Sequence, residues 1–348
     1  MKTIVRTHAG TILLILLFFL SSCRQQAFQL VYPSLSDGRY DSEFPYRNCS
    51  KELGEIAETV KKLYCLVEYD QYNFQVSNLI TKDNIKNLNL KKSASGKGFY
   101  TESVHGTATI VSNSDGNVVV LTCAHVVNYP DSVFSFFLDE TGKPTQYLES
   151  VSIKKKQQNF IRDFPDQGLL DIIAWDKELD VAFLGTHFGE TVEAAIVFDY
   201  PTGDADQLEW GNFVYIVGFP AGYQMVTRGI VSNPNPGKKD EFIIDALFNT
   251  GISGGVVLAV RDGVPNFELV GIAKSVSAKY HNVLKPEKDS HEENYNPNVP
   301  YEGNLFVKTE KDINYGITFT VSIGAIRQFY QKNRNTFIQK GFNIDHFF

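Results

Sequence analysis

Short runs of apolar and β-branched residues recur along most of the chain after residue 60, and each run is bounded by Gly, Asn, Asp or Pro. Examples are LYCLVEY, NVVVLTCAHVV, DVAFLGT, FVYIVGF and GGVVLAV. Runs of this length, separated by turn residues at a regular interval, are typical of strands in a β-sandwich or β-barrel and not of alternating βαβ units. The pattern therefore predicts an all-β protein.

Two stretches instead have apolar residues three and four apart, which is the period of an amphipathic helix. SKELGEIAETVKKLY begins at Ser50, a residue type that caps helices, and SIGAIRQFYQKN lies near the C-terminal end. We expect one short helix at each place. Residues 279–304 are charged and contain three prolines, so we expect a long loop there, and long loops are often functional.

The first residues follow another pattern. Lys2 and Arg6 precede an apolar run over residues 11–20, and small residues lead to Cys23. The run is too short to span a bilayer and is typical of an export signal that the mature protein loses. Its ending, LSSC, resembles the lipobox of bacterial lipoproteins, which implies cleavage before Cys23, a lipid on its thiol and anchoring to a membrane of the bacterial cell envelope. An ordinary signal peptide with a chance cysteine is the alternative.

The remaining chain divides by composition. The polar, proline-containing stretch that follows the signal lacks periodicity and is typical of a tether. We therefore expect a lipoprotein signal peptide (1–22), a tether (23–49), a folded domain (50–335) with an insertion at 279–304, and a C-terminal tail (336–348).

Composition narrows the function. At 348 residues and 43% hydrophobic, the chain is long enough for a complete core, and its 26 Phe and 17 Tyr fit strands. A net charge of −7 and the lack of a long basic block argue against nucleic acid as the main partner.

In an oxidising compartment Cys49 and Cys65 could form a disulfide or stay free. Cys123, inside an apolar run, is expected to be a small buried side chain.

Ser253 is a candidate nucleophile because glycines surround it in NTGISGGVVL, residues 249–258. A serine attacks a carbonyl well only if a base takes its proton and an acid orients that base. His125 follows one apolar run and Asp180 precedes another, with Asp171 as a competitor for the acid. GISGG also fits the nucleophile elbow of α/β-hydrolases, but that motif requires a helix after the serine, and GGVVLAV is strand-like. No HExxH motif or pair of cysteines indicates a metal site.

Four ordered blocks carry a resemblance to a known family: HGTATIVSNSDGNVVVLTCAHVV, LLDIIAWDKELDVAFLGT, FVYIVGFPAGYQMVTRGIVS and IIDALFNTGISGGVVL. They resemble the catalytic blocks of trypsin-like serine proteases, closest to the HtrA/DegP branch. The resemblance implies two antiparallel Greek-key β-barrels, with His125 as general base, Asp180 as its orienting acid and Ser253 as nucleophile. It also implies an oxyanion hole formed by the N–H groups of Gly251 and Ser253, protein or peptide substrates, and no cofactor.

The same resemblance suggests a substrate pocket. Leu247, six residues before the serine, would form its floor, and Ala273 and Ser275 the opposite wall, with Lys274 repelling cations if it points inward. An apolar floor predicts cleavage after apolar residues. The insertion at 279–304 would limit the access of proteins to the cleft.

Two features depart from the HtrA pattern. Ile252 stands where Asn is usual, which puts the geometry of the oxyanion hole in question because a β-branched residue stiffens the loop. The sequence after the expected C-terminal helix is too short for a PDZ domain. The sequence thus predicts an exported, lipid-anchored serine endopeptidase, and the alternative is a pseudoprotease that serves as a membrane-tethered binding module.

Overall fold

The computed structural model of the protein describes residues 36–45, 47–238, 240–286 and 305–348. The signal peptide, Cys23 and most of the expected tether therefore lie outside the described residues, as does the central part of the insertion, 287–304. Among the residues that are described, no helix is long and apolar enough to cross a membrane.

Strands dominate the described chain, as the apolar runs predicted. They are β1 (Val60–Asn73), β2 (Gly96–Ser114), β3 (Asn117–Thr122), β4 (Ser132–Leu138), β5 (Pro144–Phe160), β6 (Leu169–Asp176), β7 (Val181–His187), β8 (Phe213–Gly218), β9 (Met225–Asn233), β10 (Glu241–Ile244), β11 (Val256–Val260), β12 (Phe267–Pro286) and β13 (Leu305–Ser322). The α-helices are α1 (Ser50–Glu58), α2 (Leu90–Ser93), α3 (Ala124–Val127) and α4 (Ile323–Gln339). Short 3₁₀ turns occur at Val76–Asn78, Ile85–Asn87, Asp166–Gly168, Ala205–Gln207, Pro220–Gly222 and Asp345–Phe347.

The strands form two closed antiparallel barrels. In the first, the ring runs β1–β2–β3–β7–β6–β5 and closes where β5 pairs with β1, while β4 pairs with β5. In the second, the ring runs β10–β13–β12–β11–β8–β9 and closes between β9 and β10. The predicted fold class is confirmed: two antiparallel barrels, a short N-terminal helix that begins at Ser50, and a C-terminal helix.

One apolar cluster joins the first barrel, the adjoining face of the second barrel and the C-terminal helix, and a separate cluster, the second core, fills the interior of the second barrel. Strands β3 and β7 are buried almost throughout because one face lines the barrel interior and the other is covered by neighbouring elements. Phe183 of β7 contacts Phe329 and Phe337 of α4, with ring centroids 6.2 and 5.3 Å apart. Aromatic pairs of this kind stabilise a fold beyond the area that they bury.

The C-terminal residues belong to this core. Helix α4 continues to Gln339, past the expected domain boundary at 335. Phe337, Phe342, Ile344 and Phe347 are all buried, and full burial of such a side chain contributes about 1.5–3 kcal/mol. Residues 336–348 therefore pack as part of the domain and do not form a free tail.

Residues 36–45 of the expected tether pack against the second barrel, and we call them the strap. Tyr40 is buried, forms an antiparallel bridge with Arg261, and donates its hydroxyl to Glu268 at 2.7 Å. Asp41 is also buried, and its carboxylate accepts the N–H of Gly263 at 2.9 Å. Burial raises the pKa of Asp41 to about 6. The folded domain therefore begins before residue 50.

Strands β12 and β13 extend past the second barrel as a two-stranded arm. Residues 278–286 pair with 305–313, beyond the stretch where either strand pairs with another strand of the barrel. Part of the region expected as a loop, residues 279–286, is therefore strand. Residues 279–286 differ from expectation because they pair with residues 305–312, on the far side of the polar segment 287–304. Sequence patterns carry little information about strand pairing across such a separation.

The cysteines of the described chain are free. Cys49, Cys65 and Cys123 are each buried and unbonded. Of the two possibilities for Cys49 and Cys65, the structure has the one without a disulfide. The expectation that Cys123 is a small buried side chain is confirmed.

Candidate active site

His125 and Asp180 lie at the same rim of the first barrel. His125 is on the single-turn helix α3, directly after β3, and Asp180 precedes β7. Because β3 and β7 are hydrogen-bonded neighbours, with Thr122 paired to Ala182, the two short connections meet. Asp180 has a φ of 65°, and its N–H donates to Asp176 at 2.9 Å, so a tight turn directs its carboxylate towards α3.

The Asp180 carboxylate binds His125 at two points. One oxygen lies 2.8 Å from Nδ1 of the ring, and the other accepts the backbone N–H of His125 at 2.8 Å. An imidazole whose Nδ1–H donates to a carboxylate has Nε2 free as an acceptor. The side chain of Asp180 is 10% exposed and that of His125 is 49% exposed. The pair therefore presents an oriented base to solvent with its acid protected behind it.

The competing acid, Asp171, is placed elsewhere. It lies within β6, opposite Gly185 of β7, and its side chain is exposed. The carboxylate that accepts the hydrogen bonds of His125 is that of Asp180. The structure therefore brings together the pair that the family resemblance implied.

Ser253 lies in the tight turn of residues 250–255 that leads into β11, and we call these residues the serine turn. Its side chain is nearly buried, and its hydroxyl donates a long hydrogen bond of 3.4 Å to the carbonyl of Lys274. Gly251 and Gly254 have φ values of 101° and 89°, which side chains rarely allow. A Cβ on Gly251 would also collide with the carbonyl of Phe219 and the ring of His105. The glycines beside the serine are thus required by the turn itself.

Within the described residues, the N–H groups of Gly251 and Ser253 donate to no acceptor. The carbonyls that share their peptide planes are both held: that of Thr250 accepts the N–H of Ala221 at 2.7 Å, and that of Ile252 accepts the N–H of Gly255 at 2.8 Å. In a planar trans peptide the C=O and N–H point in opposite directions. Each held carbonyl therefore fixes the direction of a free N–H, as an oxyanion hole requires.

Ile252, the departure from the HtrA pattern, is a core residue. Its side chain is 1% exposed and belongs to the apolar cluster inside the second barrel. Its N–H donates to the carbonyl of Asn249 at 3.1 Å. The stiff side chain thus holds the middle of the turn in the barrel and leaves both neighbouring N–H groups unpaired.

Contacts across the two barrels bring the serine turn close to the His125 rim. The thiol of Cys123, two residues before His125, donates to the carbonyl of Ala273 at 3.3 Å, and the N–H of Gly254 donates to the same carbonyl at 2.8 Å. No hydrogen bond joins Ser253 Oγ to His125 in the described residues. Hydrogen bonds between catalytic groups are often long or misaligned without a substrate and tighten when one binds.

The expected pocket residues differ in exposure. Leu247 is 60% exposed, whereas its neighbours Ala246 and Phe248 are buried in the second core. Ser275 is half-buried, but Ala273 is completely buried, so its side chain does not line an open surface. Of the three, Leu247 and Ser275 have exposed surface, so these two stay candidates for contact with a substrate.

Lys274 does not point into an open pocket. Its ammonium donates to Glu241 at 2.8 Å and to the backbone carbonyl of Glu178, in the turn before Asp180, at 3.4 Å. Burial tends to raise the pKa of Glu241, but hydrogen bonds from Lys238 and Lys274 outweigh it and lower that pKa. The Lys274 charge is therefore paired, and the side chain ties β12 to the acid turn.

Cys123, His125 and Asp180 each offer one potential metal ligand, and the three atoms lie within 4.8 Å of one another. Burial holds the pKa of the Cys123 thiol well above its usual value, and the thiol already donates to Ala273. A metal ion needs the thiolate. The cluster therefore fits a hydrogen-bonded acid–base pair with a neighbouring structural thiol better than it fits a metal site.

Sequence reasoning missed two residues of β2 that contact the serine turn. Thr107 hydrogen-bonds to it, and His105 packs against Gly251 with an Nε2 that has no hydrogen-bond partner in the described chain. Burial, followed by the charge of Lys62, lowers the pKa of His105. Thr107 and His105 give no signal in the sequence, because their roles depend on contacts with a turn that lies more than 140 residues away along the chain.

The comparisons with known proteins agree with this geometry. Residues 106–272 match the family model described as trypsin-like peptidase domain, and the matched range contains His125, Asp180 and Ser253. Together with the two barrels, this match supports a protease of the chymotrypsin fold. It further supports a hydrolase of the serine-protease type that acts on proteins or peptides. No curated protein matches the chain.

Proposed function

We propose that the protein is an exported, lipid-anchored serine endopeptidase whose catalytic residues are Ser253, His125 and Asp180. The observation that carries this proposal is the two-point hydrogen bonding of Asp180 to the backbone and ring of His125. A carboxylate placed in this way fixes the tautomer and stabilises the imidazolium that forms during acyl transfer. A histidine with a merely structural role would not need a free, solvent-facing Nε2.

The reaction follows from these positions. His125 Nε2 accepts the proton of the Ser253 hydroxyl as Oγ bonds to the carbonyl carbon of the substrate. The N–H groups of Gly251 and Ser253 bind the resulting oxyanion. When the C–N bond breaks, the imidazolium gives its proton to the departing amine and an ester remains on Ser253. Water, deprotonated by His125, then attacks the ester, releases the acid and restores the serine.

One observation favours the alternative, a pseudoprotease that only binds polypeptides. The Ser253 hydroxyl donates to the Lys274 carbonyl and not to His125. If the two side chains never come within hydrogen-bond reach, the barrels provide a binding surface without turnover.

A fluorophosphonate probe separates the two functions. In an active site, Ser253 Oγ bonds to phosphorus, the P–F bond breaks, fluoride leaves, and His125 takes the proton. We expect labelling at Ser253 in the wild-type chain and none in Ser253→Ala. A folded wild-type protein that resists the probe, but still binds unfolded polypeptides, would establish the pseudoprotease.

The lipid anchor is proposed from the sequence ending LSSC and concerns Cys23. Two or three acyl chains hold a protein on a membrane stably, where a single chain does not. We expect the mature chain to begin at Cys23, to carry acyl mass and to partition into detergent, and Cys23→Ser to release it from the envelope membrane. An intact mass without acyl groups would refute the anchor and leave the protease proposal standing.

A further inference from the structure

Thr107 of β2 contacts the serine turn at two points. Its hydroxyl donates to the carbonyl of Gly251 at 2.7 Å, and its backbone N–H donates to the carbonyl of Ser253 at 2.9 Å. The residue is completely buried. One residue of the first barrel therefore holds both ends of the three-residue segment that carries the nucleophile and the candidate oxyanion hole.

The remaining hydrogen-bonding groups of Thr107 extend this attachment. Its hydroxyl oxygen accepts the N–H of Phe219 at 2.9 Å, and its carbonyl accepts the hydroxyl of Thr122 at 2.7 Å. Phe219 leads into the turn Pro220–Gly222, whose Ala221 holds the carbonyl of Thr250. A single hydroxyl thus connects β2, the turn after β8 and the serine turn.

We infer that Thr107 is a positioning residue that sets the direction of the oxyanion-hole N–H groups. This inference rests on the proposed function, because an oxyanion hole matters only if Ser253 forms an acyl-enzyme. Gly251 has access to many backbone conformations, so its peptide planes need an external constraint. Without the hydroxyl, the buried Gly251 carbonyl and the partly buried Phe219 N–H would lose their hydrogen-bond partner, and the turn would relax to satisfy them.

The chain supplies a matched control two residues along the same strand. Thr109 is also completely buried, but its hydroxyl has no hydrogen-bond partner in the described chain. Valine has nearly the shape of threonine without the hydroxyl. Thr107→Val and Thr109→Val therefore remove the same group from the same strand, and only the first removes a contact with the serine turn.

The test measures peptide hydrolysis by the wild type, Thr107→Val, Thr107→Ser and Thr109→Val. We expect Thr107→Val to lower kcat by about 10- to 100-fold, at or below the roughly 10²- to 10³-fold loss that follows removal of an oxyanion-hole donor, because the N–H groups remain but are less well directed. KM should change less than about twofold, because ground-state binding is untouched. Thr107→Ser restores most of kcat, since it keeps the hydroxyl. Thr109→Val retains wild-type kcat. Equal losses in the two valine variants would show a general packing effect and overturn the inference.

A second measurement does not depend on turnover. Amide hydrogen exchange in a peptide spanning residues 246–256 should become faster in Thr107→Val, and should stay at the wild-type rate in Thr109→Val and Thr107→Ser. Unchanged exchange in Thr107→Val refutes the positioning role even if the wild type proves to be a pseudoprotease. Failure of the wild type to react with the fluorophosphonate refutes the proposed function instead, so the two failures are distinguishable.

Discussion

The two barrels contribute to the candidate site in different ways. The first barrel supplies His125 and Asp180, which hold each other through two hydrogen bonds within one rim. The second barrel supplies Ser253 on a turn whose carbonyls are held partly by its own barrel and partly by Thr107 of the first. The hydrogen bonds that join His125 to Asp180 thus lie within the first barrel, and Lys274 of the second barrel contacts only the turn before Asp180. The turn that carries Ser253, the candidate nucleophile, is instead held by both barrels.

This difference predicts how each half of the candidate site responds to a movement between the barrels. Asp180 is shielded and accepts both of its hydrogen bonds from His125, so this pair is joined without a direct contact from the second barrel. The serine turn contains glycines at positive φ and depends on long-range contacts for its shape. We therefore expect a displacement between the barrels to alter the candidate oxyanion hole before it alters the hydrogen bonds between His125 and Asp180.

The largest expected effect tests whether His125 of the first barrel and Ser253 of the second act as one catalytic unit. Ser253→Ala and His125→Ala should each lower kcat by about 10⁶-fold, and the double variant should lose little more, because residues that act as a unit are strongly non-additive. The measurement is kcat on a fluorogenic peptide, with circular dichroism to show that the fold is retained. Additive losses would mean that the two barrels do not share one chemical step.

The next effect tests the acid of the first barrel. Asp180→Asn should lower kcat by about 10⁴-fold, because an amide cannot hold the same tautomer of His125 or stabilise its charged form. Asp171→Asn, at an exposed position of β6, is the control and should leave kcat unchanged. If Asp171→Asn abolishes turnover and Asp180→Asn does not, the assignment of the acid is wrong.

A smaller effect tests the substrate side of the second barrel. Leu247→Asp should reduce cleavage after apolar residues by about tenfold in kcat/KM, since apolar pockets discriminate by about 1–3 kcal/mol per methylene. Cleavage after Lys or Arg should rise in relative terms, because the new carboxylate would pair with the cation. Leu284→Asp, at a similarly exposed leucine on the arm, is the matched control. Wild-type cleavage that is mainly after Lys or Arg would contradict the apolar pocket.

The smallest effect is expected from a substitution at Asp41, in the strap that packs against the second barrel and away from the serine turn. The pKa of Asp41 is raised by burial to about 6. The pKa of Asp41 is higher in the folded chain than its ordinary value of 3.8, so the protonated carboxyl stabilises the fold at pH values below 3.8. This stabilisation is lost as the pH rises through about 6. Asp41→Asn should therefore increase the free energy of unfolding by about 1–3 kcal/mol at pH 7.5 and not at pH 3.5, with kcat unchanged. Urea denaturation at both pH values measures this difference. A variant less stable than wild type at pH 7.5 would refute it.

The fold class could be predicted from the sequence for a physical reason, and the same pattern picks out the candidate catalytic residues. Strands of a barrel are short and half-buried, so their apolar runs and turn residues are visible locally, and Asp180, His125 and Ser253 stand at the ends of such runs. The sequence predicts a tail at 336–348 because its apolar positions, such as Phe342 and Ile344, follow no helical period. Thr107 could not be found, because its role comes from a turn brought beside it only by folding. The arm was missed because its two strands flank a polar insertion.

The buried side chain of Ile252 has a consequence for inactivation by heat. A catalytic turn on an exposed loop can open by itself, at a free-energy cost far below that of global unfolding. Here the residue beside the nucleophile is part of the apolar cluster of the second barrel, so the turn cannot open without removing a side chain from that cluster. Local melting of the site and cooperative unfolding of the barrel should therefore be one event. The temperature at which activity is lost should coincide with the temperature at which tertiary structure disappears.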